Sequence, residues 1–229
     1  MNDGILKGVR VIDLTRYVSG PFCAALLADM GAEVIKIEKP GAGEVSRKVA
    51  PYHNGISLFF PPYNRNKKSV TADLRTPEGI AIAKRLIEKS DVLINNFRVG
   101  TLEKMGLDYE TLKEINPRLI YCSISAYGQV GPYAKRPGYD VIAQAVSGIM
   151  YMTGDPDGSP TKIGTALGDW VGGLTAFGMI GTAMYYRSVT GKGQHIDISL
   201  ARLLMWMSAR FDFTYTGKQD FRSGNHHTT

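Results

Sequence analysis

The sequence has few of the residues from which disulfide frameworks and metal sites are built. It contains two cysteines and four histidines in 229 residues. Cys23 and Cys122 lie far apart in apolar segments and belong to no CxxC pair, so we interpret both as reduced core residues. His53, His226 and His227 lie in turn-like text with no carboxylate at ligand spacing, so we expect no bound metal.

Long apolar runs are missing as well. No stretch of about 18 uninterrupted apolar residues occurs, and the N-terminal text lacks the charged start, apolar core and cleavage site of a secretory leader. We therefore expect a cytoplasmic protein with no membrane partner. Hydrophobic residues make up 44% of the chain and charged residues 21%, a balance that predicts one large globular domain, or one and a part.

The charge is unbalanced in the basic direction, with a net charge of +6 and a pI of about 9.2. Such an excess would suit a polyanion, but the basic residues are scattered among acidic ones and no motif that reads DNA or RNA occurs. We therefore expect no nucleic-acid partner. A phosphorylated small molecule accounts for the charge equally well, as does a merely solvated basic surface.

The first 40 residues alternate between strand and helix patterns. Residues 7–15 predict a strand, residues 20–31 have helical spacing and stop at Gly31, and residues 32–39 predict a second strand. A strand–helix–strand unit normally makes two parallel strands with a right-handed crossover. The fold class that follows is α/β, with an open, mostly parallel, Rossmann-like sheet and helices on both faces.

The remaining text continues this alternation and includes two candidate functional loops, at 40–70 and 128–138. Thr76 is predicted to cap a helix that has Pro77 at its first position. Helices are predicted over 76–90, 139–152, 169–189 and 200–215, with shorter helical pieces around 101–106 and 109–116, and strands over 91–97, 118–128 and 195–201.

The turn after the first strand argues against a dinucleotide-binding site. Glu38 ends the second strand about where a ribose-binding acid would lie, but the turn reads TRYVSGP and lacks GxGxxG. We interpret the sheet as a scaffold whose strand ends carry another ligand.

Asp169 stands at the start of an apolar, glycine-studded segment, IGTALGDWVGGLTAFG. It could be a helix N-cap, whose carboxylate accepts the free backbone N–H groups of the first turn. It could equally be a nucleophile, because a helix N-terminus favours the ionised form and Gly168 leaves room beside it for a bulky substrate. The residues alone leave both interpretations open. Asp140 is most simply another cap, and Tyr139 a half-buried aromatic.

Several separated motifs, in order, carry a resemblance to one enzyme family. They are GVRVIDLTRYVSGPFCAALLADMGAEVIKIEKPGAGE, NRNKKSVTADLRTPEG, DVLINNFRVGTLEKMGLDYETLKEINPRLIYCSISAYGQVGP, RPGYDVIAQAVSG and ALGDWVGGLTAFGMIGTAMYYRSVTGKGQHIDISLA. From about residue 7 to the end, the chain resembles the class III CoA-transferases, the CaiB/BaiF group that includes formyl-CoA transferase. In that family the nucleophile is an aspartate in a Gly-Asp motif before the long helix, and Asp169 falls on it.

The resemblance implies covalent catalysis with acyl-CoA as a substrate and no tightly bound cofactor. Asp169 would attack the thioester carbonyl of a donor acyl-CoA to give an aspartyl anhydride, and the released CoA thiolate would form an aspartyl-CoA thioester. A carboxylic acid acceptor would then take over the CoA through a second anhydride. Backbone N–H groups near Asp169 are the implied oxyanion donors.

The resemblance also implies a set of CoA-binding residues at the ends of the strands and in the basic loop. They are Arg16, Tyr17, Val18, Ser19, Lys39, Arg75, Asn96, Phe97, Lys104, Met105, Arg136 and Tyr139. Arg75, with Lys135 or Arg136, is a candidate partner for the CoA phosphates, and each is also an ordinary surface cation. Formyl-CoA transferase has HVQAG where this chain reads RYVSG. Candidate walls of the substrate pocket are Tyr139, Met150, Met152 and Trp170.

Two other functions stay open. The α-methylacyl-CoA racemases share this fold but use a His-Asp pair in a GHD motif, where this chain has Gly138-Tyr139-Asp140. A phenol with a pKa of about 10 is a poor replacement for imidazole in proton abstraction, so Tyr139 favours a transferase. The third interpretation is a CoA-binding fragment without catalysis.

The resemblance further bears on domains and partners, because members of the family are nearly twice this length. We expect residues 1–199 to form the N-terminal part of a Rossmann-like, CoA-binding and catalytic large domain. Residues 200–229 are expected to be a helix and linker toward a small domain that this chain lacks. Family members form interlocked homodimers, so we expect a homodimer, or a partner chain that supplies the C-terminal half.

Overall fold

Parallel strands form a six-stranded sheet at the centre of the protein. The structure, a computed structural model, describes residues 4–208, 222 and 224–225. The strands of this sheet are β1 (Arg10–Asp13), β2 (Glu33–Glu38), β5 (Lys67–Thr71), β6 (Val92–Asn95), β7 (Ile120–Ser125) and β8 (Gln194–Ser199). They lie side by side in the order β5-β2-β1-β6-β7-β8. A separate antiparallel hairpin joins β3 (Tyr52–His53) to β4 (Ile56–Ser57). The open parallel α/β sheet expected from the sequence is confirmed.

Helices cover both faces of the sheet, because its inner strands are apolar on both sides. One face carries α1 (Ser19–Asp29), α5 (Asp140–Val146), α7 (Leu167–Thr190) and α8 (Leu200–Ser208). The other face carries α3 (Pro77–Glu88) and α4 (Tyr109–Ile115). The short helices α2 (Phe60–Asn64) and α6 (Ile149–Met152) lie in the connections. Cys23 and Cys122 are buried free thiols in the first of these cores, as expected.

The region 40–70 is more ordered than the sequence predicts. Besides loops it contains β3, β4, α2 and β5, and β5 pairs with β2 at the edge of the main sheet. The strand reads KKSVT and is largely exposed or half-buried, so it lacks the apolar run that marks an inner strand. Only its pairing with β2 identifies it.

One helix prediction is wrong, and another extends beyond the described residues. Residues 139–152 form α5 and α6 rather than one helix, because the chain breaks at Gly148, whose φ of +83° is a left-handed conformation suited to glycine. The final helix is described as far as Ser208, and the predicted continuation to 215 lies outside the described residues. Leu200 and Leu204 of this helix belong to the core that packs on the sheet. The domain division at 199/200 stays a prediction. No described helix is long and apolar enough to cross a bilayer.

The predicted cap of α3 is confirmed and provides a local test of stability. Thr76 Oγ1 accepts the Gly79 N–H at 3.1 Å, and Pro77 occupies the first helical position. We expect Thr76→Ala to lower the free energy of unfolding by about 1 kcal/mol, because this N–H loses its acceptor. Urea denaturation measures the loss. Thr182→Ala, in the exposed middle of α7, is the control and should lose nothing, since alanine is the better helix former; equal losses would contradict the capping role.

Candidate active site

The candidate active site lies where the strand order reverses. The chain leaves β1 toward β2 and leaves the neighbouring β6 toward β7 on the other side, so the loops after β1 and β6 diverge. In open α/β sheets such a divergence opens a crevice at the carboxyl ends of the strands, where ligands bind. A cleft of about 500 Å³ occupies this crevice, and a second of about 360 Å³ adjoins it.

Most of the predicted CoA-binding residues line the larger cleft together with Asp169. They are Arg16, Tyr17, Val18, Ser19, Arg75, Asn96, Phe97, Met105, Arg136 and Tyr139. Lys39 lines the smaller cleft, and Lys104 is exposed outside both. Met150, Met152 and Trp170 are not among the residues lining either cleft. The structure therefore brings together residues from four separate parts of the chain, whose contact with CoA stays a prediction.

Asn96 clamps the loop that follows β1. Its Oδ1 accepts the Arg16 N–H at 2.9 Å, and its Nδ2 donates to the Arg16 carbonyl at 2.8 Å. Because the side-chain amide bonds the backbone of another loop with both polar atoms, Asn96 holds the two walls of the cleft together. Sequence reasoning had assigned it only a ligand contact and missed this supporting role.

The arginines of the cleft differ in how their charge is held. Arg75 makes a bidentate contact with Asp73, at 2.9 and 2.6 Å, and this partner lowers the pKa of the Asp73 carboxyl. The guanidinium of Arg16 lies 4.8 Å from the centre of the Phe97 ring, and that of Arg136 lies 4.1 Å from the Tyr133 ring. Arg16 and Arg136 rest on aromatic faces and so present positive charge to the cleft.

Tyr17 and its support are a second feature that the sequence did not reveal. Tyr17 has a left-handed backbone, with φ of +64°, which is costly for a bulky residue. Its N–H donates to Glu44 Oε1 at 3.0 Å, and Glu44 is itself buried. The Tyr17 ring meets the exposed Tyr139 ring edge-on at 6.3 Å, so the two tyrosines form one rim of the cleft.

A buried ionic cluster lies beneath this loop. Asp13, at the end of β1, accepts from Lys36 Nζ at 3.3 Å and Lys67 Nζ at 2.8 Å, and all three side chains are buried. Burial alone would raise the pKa of Asp13, but the two ammonium groups hold it well below its usual range. Lys36 also donates to the Thr15 carbonyl at 2.7 Å and Lys67 to the Pro21 carbonyl at 2.9 Å, which ties both ends of the loop to the cluster.

Asp169 lies in the first turn of α7, two residues after the helix begins at Leu167. Its interpretation as the N-cap is therefore wrong, since Ala166 occupies that position and has no side-chain acceptor. The carboxylate of Asp140, from α5, replaces the missing cap by accepting the Gly168 N–H at 2.6 Å. The expectation that Asp140 caps the helix it opens is therefore wrong, since Tyr139 is the N-cap of α5 and the Asp140 side chain caps α7 instead.

Close packing of α7 on α1 places Asp169 beside Ser19. A Cβ at Gly173 would lie 2.7 Å from the Ser19 carbonyl, so glycine is needed for this approach, and the Phe22 and Trp170 rings meet edge-on at 4.4 Å. The Ser19 side chain lies close enough to the Asp169 carboxylate to lower its pKa. The nucleophile candidate is held from its own helix and from α1.

The surroundings of Asp169 make it an unusually basic carboxylate. Burial raises its pKa to about 6, the negative charge of Asp140 adds to the shift, and the Ser19 side chain opposes it. The pKa of Tyr63, from α2, is raised as well, by burial and then by Asp169. A carboxylate of raised pKa is a better nucleophile and still ionises at neutral pH, which suits attack on an acyl group.

The approach of α7 to α1 can be tested with two glycines of the same helix. We expect Gly173→Ala to lower the free energy of unfolding by about 1 to 3 kcal/mol, since its Cβ would lie 2.7 Å from the Ser19 carbonyl and 2.8 Å from the Phe22 ring. Gly178→Ala is the control, because no described atom lies within 4 Å of its Cβ, and it should gain up to about 1 kcal/mol. Thermal and urea unfolding measure both. Equal effects would contradict the proposed contact.

The comparisons with known proteins bear on this cleft. Residues 6–229 match the family model described as CoA-transferase family III. The chain belongs to CoA-transferase family III. This is the CaiB/BaiF group that its sequence resembles, so the resemblance is confirmed.

Its relatives include named CoA-transferases and proteins of known structure. The chain is 43% identical to succinate–glutarate CoA-transferase of Agrobacterium fabrum, over 97% of this chain and 58% of that protein. It is 48% identical to the succinyl-CoA–L-malate CoA-transferase beta subunit of Chloroflexus aurantiacus, over 85% of this chain and 49% of that one. The crystal structure of a CAIB/BAIF family protein from Brucella suis superposes with a TM-score of 0.92 at 44% identity, over 98% of this chain and 61% of that one. The chain spans about half to three fifths of the length of these relatives.

Proposed function

We propose that this chain transfers coenzyme A from an acyl-CoA to a carboxylic acid, with Asp169 as the nucleophile. The observation that carries the proposal is the position of Asp169. Its raised-pKa carboxylate opens onto a cleft that is shared with the residues the family resemblance assigns to CoA.

The proposed reaction is a series of acyl transfers, in each of which a carboxylate or the CoA thiolate attacks a carbonyl and displaces the group bound there. A carboxylate oxygen of Asp169 attacks the thioester carbonyl, the C–S bond breaks, and CoA leaves as thiolate from a mixed anhydride. The thiolate attacks the aspartyl carbonyl, which releases the donor acid as its carboxylate and leaves aspartyl-CoA thioester. The acceptor carboxylate then attacks the aspartyl carbonyl of this thioester, the C–S bond breaks, and a second mixed anhydride forms as CoA leaves as thiolate. The thiolate attacks the acceptor carbonyl of that anhydride, which forms the new acyl-CoA and releases the Asp169 carboxylate without use of water.

We propose backbone N–H groups near Asp169 as the oxyanion donors, and the hydrogen bonds of the nearby N–H groups narrow the choice. The Gly168 N–H is bonded to Asp140 and the Trp170 N–H to the Ala166 carbonyl, so the first turn of α7 already has partners for these groups. The first turn of α1 reaches the cleft through Ser19. We therefore place the oxyanion support at the start of α1, where backbone N–H groups and the helix dipole favour developing negative charge.

For the substrates, we propose short dicarboxylic acids. The two relatives named above carry succinate, glutarate and malate in their names. Arg16 and Arg136 supply positive charge in the same cleft as Asp169, which suits a second carboxylate on the acid.

For the partners, we propose a second copy of the chain or a separate chain of the same family. The Chloroflexus relative is named as a beta subunit, so a partner chain has a precedent among relatives. The exposed outer side of α7 includes Leu174, Met179, Tyr185 and Val189, an apolar surface of the kind that associates.

The experiment that tests the function is intact-mass spectrometry. The protein is incubated with succinyl-CoA, glutaryl-CoA, oxalyl-CoA or acetyl-CoA, quenched with hydroxylamine or borohydride, and compared with Asp169→Ala. In the wild type alone, we expect hydroxylamine to convert the activated Asp169 carbonyl into a hydroxamate with release of CoA or the donor acid, and borohydride to reduce it to an alcohol, with the dicarboxylic donors giving the most of either product. Binding of CoA without either product would contradict the proposal, and exchange of the α-proton with solvent would then indicate a racemase-like enzyme.

A further inference from the structure

The carboxylate of Asp140 meets the start of the helix that carries the nucleophile. Its Oδ1 accepts the Gly168 N–H at 2.6 Å and lies 3.4 Å from the Asp169 nitrogen, in a weaker second contact. A Cβ at Gly168 would lie 3.0 Å from this oxygen, so the glycine before Asp169 is what admits the carboxylate. Asp140 therefore fixes the backbone on which the nucleophile stands.

Gln144, one turn later on α5, holds Asp140 in place and orders the chain before α7. It is fully buried, and its Nε2 donates to Asp140 Oδ2 at 2.7 Å and to the Thr165 carbonyl at 3.2 Å. Its Oε1 accepts the Ile163 N–H at 2.9 Å. All the hydrogen-bonding atoms of this amide are engaged, so α5 and the segment 163–169 form one unit.

The charge environment of Asp169 is negative on the side of this unit. Asp140 is the charged group that α5 presents, α1 contributes the neutral Ser19, and α2 contributes Tyr63, whose phenol is neutral at physiological pH. Four arginines line the cleft, Arg16, Arg75, Arg98 and Arg136. Of these, Arg16 and Arg136 lie against the Phe97 and Tyr133 rings, and Arg75 is paired with Asp73. Two carboxylates thus approach each other at the start of α7.

We propose that Asp140 is a positioning residue for the nucleophile, holding Asp169 in place through the backbone and destabilising its free carboxylate relative to its covalent forms. The inference rests on the proposed function of Asp169. In the anhydride and in the CoA thioester the carboxyl of Asp169 carries no charge, so the repulsion from Asp140 is relieved when either forms. Like charges held at short range disfavour the state in which both are ionised. The cap that fixes the helix therefore also drives the nucleophile toward its acylated state.

The test separates charge from geometry with two substitutions. Asp140→Asn keeps an oxygen that can accept the Gly168 N–H but removes the charge, whereas Asp140→Ala removes both. The pKa of Asp169 is measured by ¹³C NMR titration of its carboxyl carbon, assigned by the loss of that signal in Asp169→Asn. The fraction of protein carrying a covalent adduct with succinyl-CoA is measured by intact mass. Asp197→Asn is the control, since Asp197 also accepts a backbone N–H, from Gln129 at 2.9 Å, but on β8.

We expect Asp140→Asn to lower the pKa of Asp169 by about half a unit or more and to reduce the adduct fraction at least about threefold. Its thermal midpoint should fall less than that of Asp140→Ala, because the amide keeps the bond to the Gly168 N–H and loses only the one from Gln144 Nε2. Asp140→Ala should change the pKa and the adduct fraction in the same way and lower the thermal midpoint further. The inference is overturned if Asp140→Asn leaves both the pKa and the adduct fraction at the wild-type level. Failure of the proposed function is distinguishable, because the wild type would then form no adduct at all. Even in that case, the effect of Asp140→Asn on the pKa of Asp169 decides whether Asp140 acts on Asp169.

Discussion

Asp169→Asn is expected to abolish CoA transfer while making the folded protein more stable at neutral and alkaline pH. The amide has no anionic oxygen to attack a thioester, so kcat/KM should fall about a thousandfold or more, as when other covalent nucleophiles are removed. The gain in stability has a different origin. The folded state raises the pKa of Asp169 to about 6, which means that folding disfavours the ionised carboxylate.

The sign of the pH dependence follows from that shift. The unfolded chain ionises this carboxyl at a pKa of 3.8 and the folded chain at about 6, so the folded state binds more protons between these values. Wild-type stability should therefore fall relative to Asp169→Asn as pH rises from about 4 to 6, and the difference should be constant above that range. Because Asp169 is only partly buried, we expect a plateau of about 1 to 2 kcal/mol.

Unfolding at pH 4 and pH 8 measures the difference directly. Asp155→Asn is the control, because this aspartate is exposed in the turn before α7, and its substitution should shift neither stability nor transfer. Intact mass excludes deamidation of the new asparagine as a source of residual activity. A variant that loses activity but is no more stable at pH 8 than at pH 4, relative to the wild type, would contradict the raised pKa.

The sequence predicts the sheet and the location of the site because both depend on local pattern. The apolar texts of β1, β2, β6 and β7 mark buried parallel strands, and the ends of parallel strands meet at one edge of a sheet. The sequence did not predict the edge strand β5, because its polar sequence is typical of a loop and only its pairing with β2 identifies it as a strand.

The contacts within the site depend on which distant segments of the chain meet in the fold, and no local sequence pattern contains that information. Asp169 looks like a cap from its neighbours in sequence, yet Asp140, on another helix, supplies the acceptor. Asn96 looks like a ligand, yet its amide bonds the Arg16 backbone, a residue 80 positions away. Glu44 lies in a sequence typical of a loop, from which its hydrogen bond with the Tyr17 N–H could not be predicted. These contacts became visible only when the fold had placed the segments side by side.

The largest loss of stability is expected from Asp13→Asn. This substitution leaves the ammonium groups of Lys36 and Lys67 buried together without the carboxylate that balances them. Breaking one partner of a buried ionic cluster costs about 3 to 5 kcal/mol, because the remaining charge is neither solvated nor paired. The loop after β1 should also lose its fixed position, so CoA binding should weaken even under conditions where the variant folds.

The pH dependence of this loss identifies its cause. Burial already lowers the pKa of Lys67 to about 8 despite the attraction of Asp13, and without that attraction the pKa falls further. At pH 9 Lys67 is buried as the neutral amine, whereas at pH 6 it must be buried charged or lose its proton at a free-energy cost. The loss of stability in Asp13→Asn should therefore be larger at pH 6 than at pH 9. Asp29→Asn is the matched control: it removes an exposed partner of Arg65 and should cost at most about 1 kcal/mol. Addition of Lys67→Met to Asp13→Asn should restore part of the lost stability, since it removes one of the two unbalanced charges. If this rescue fails and the loss of stability does not depend on pH, packing rather than charge holds the loop.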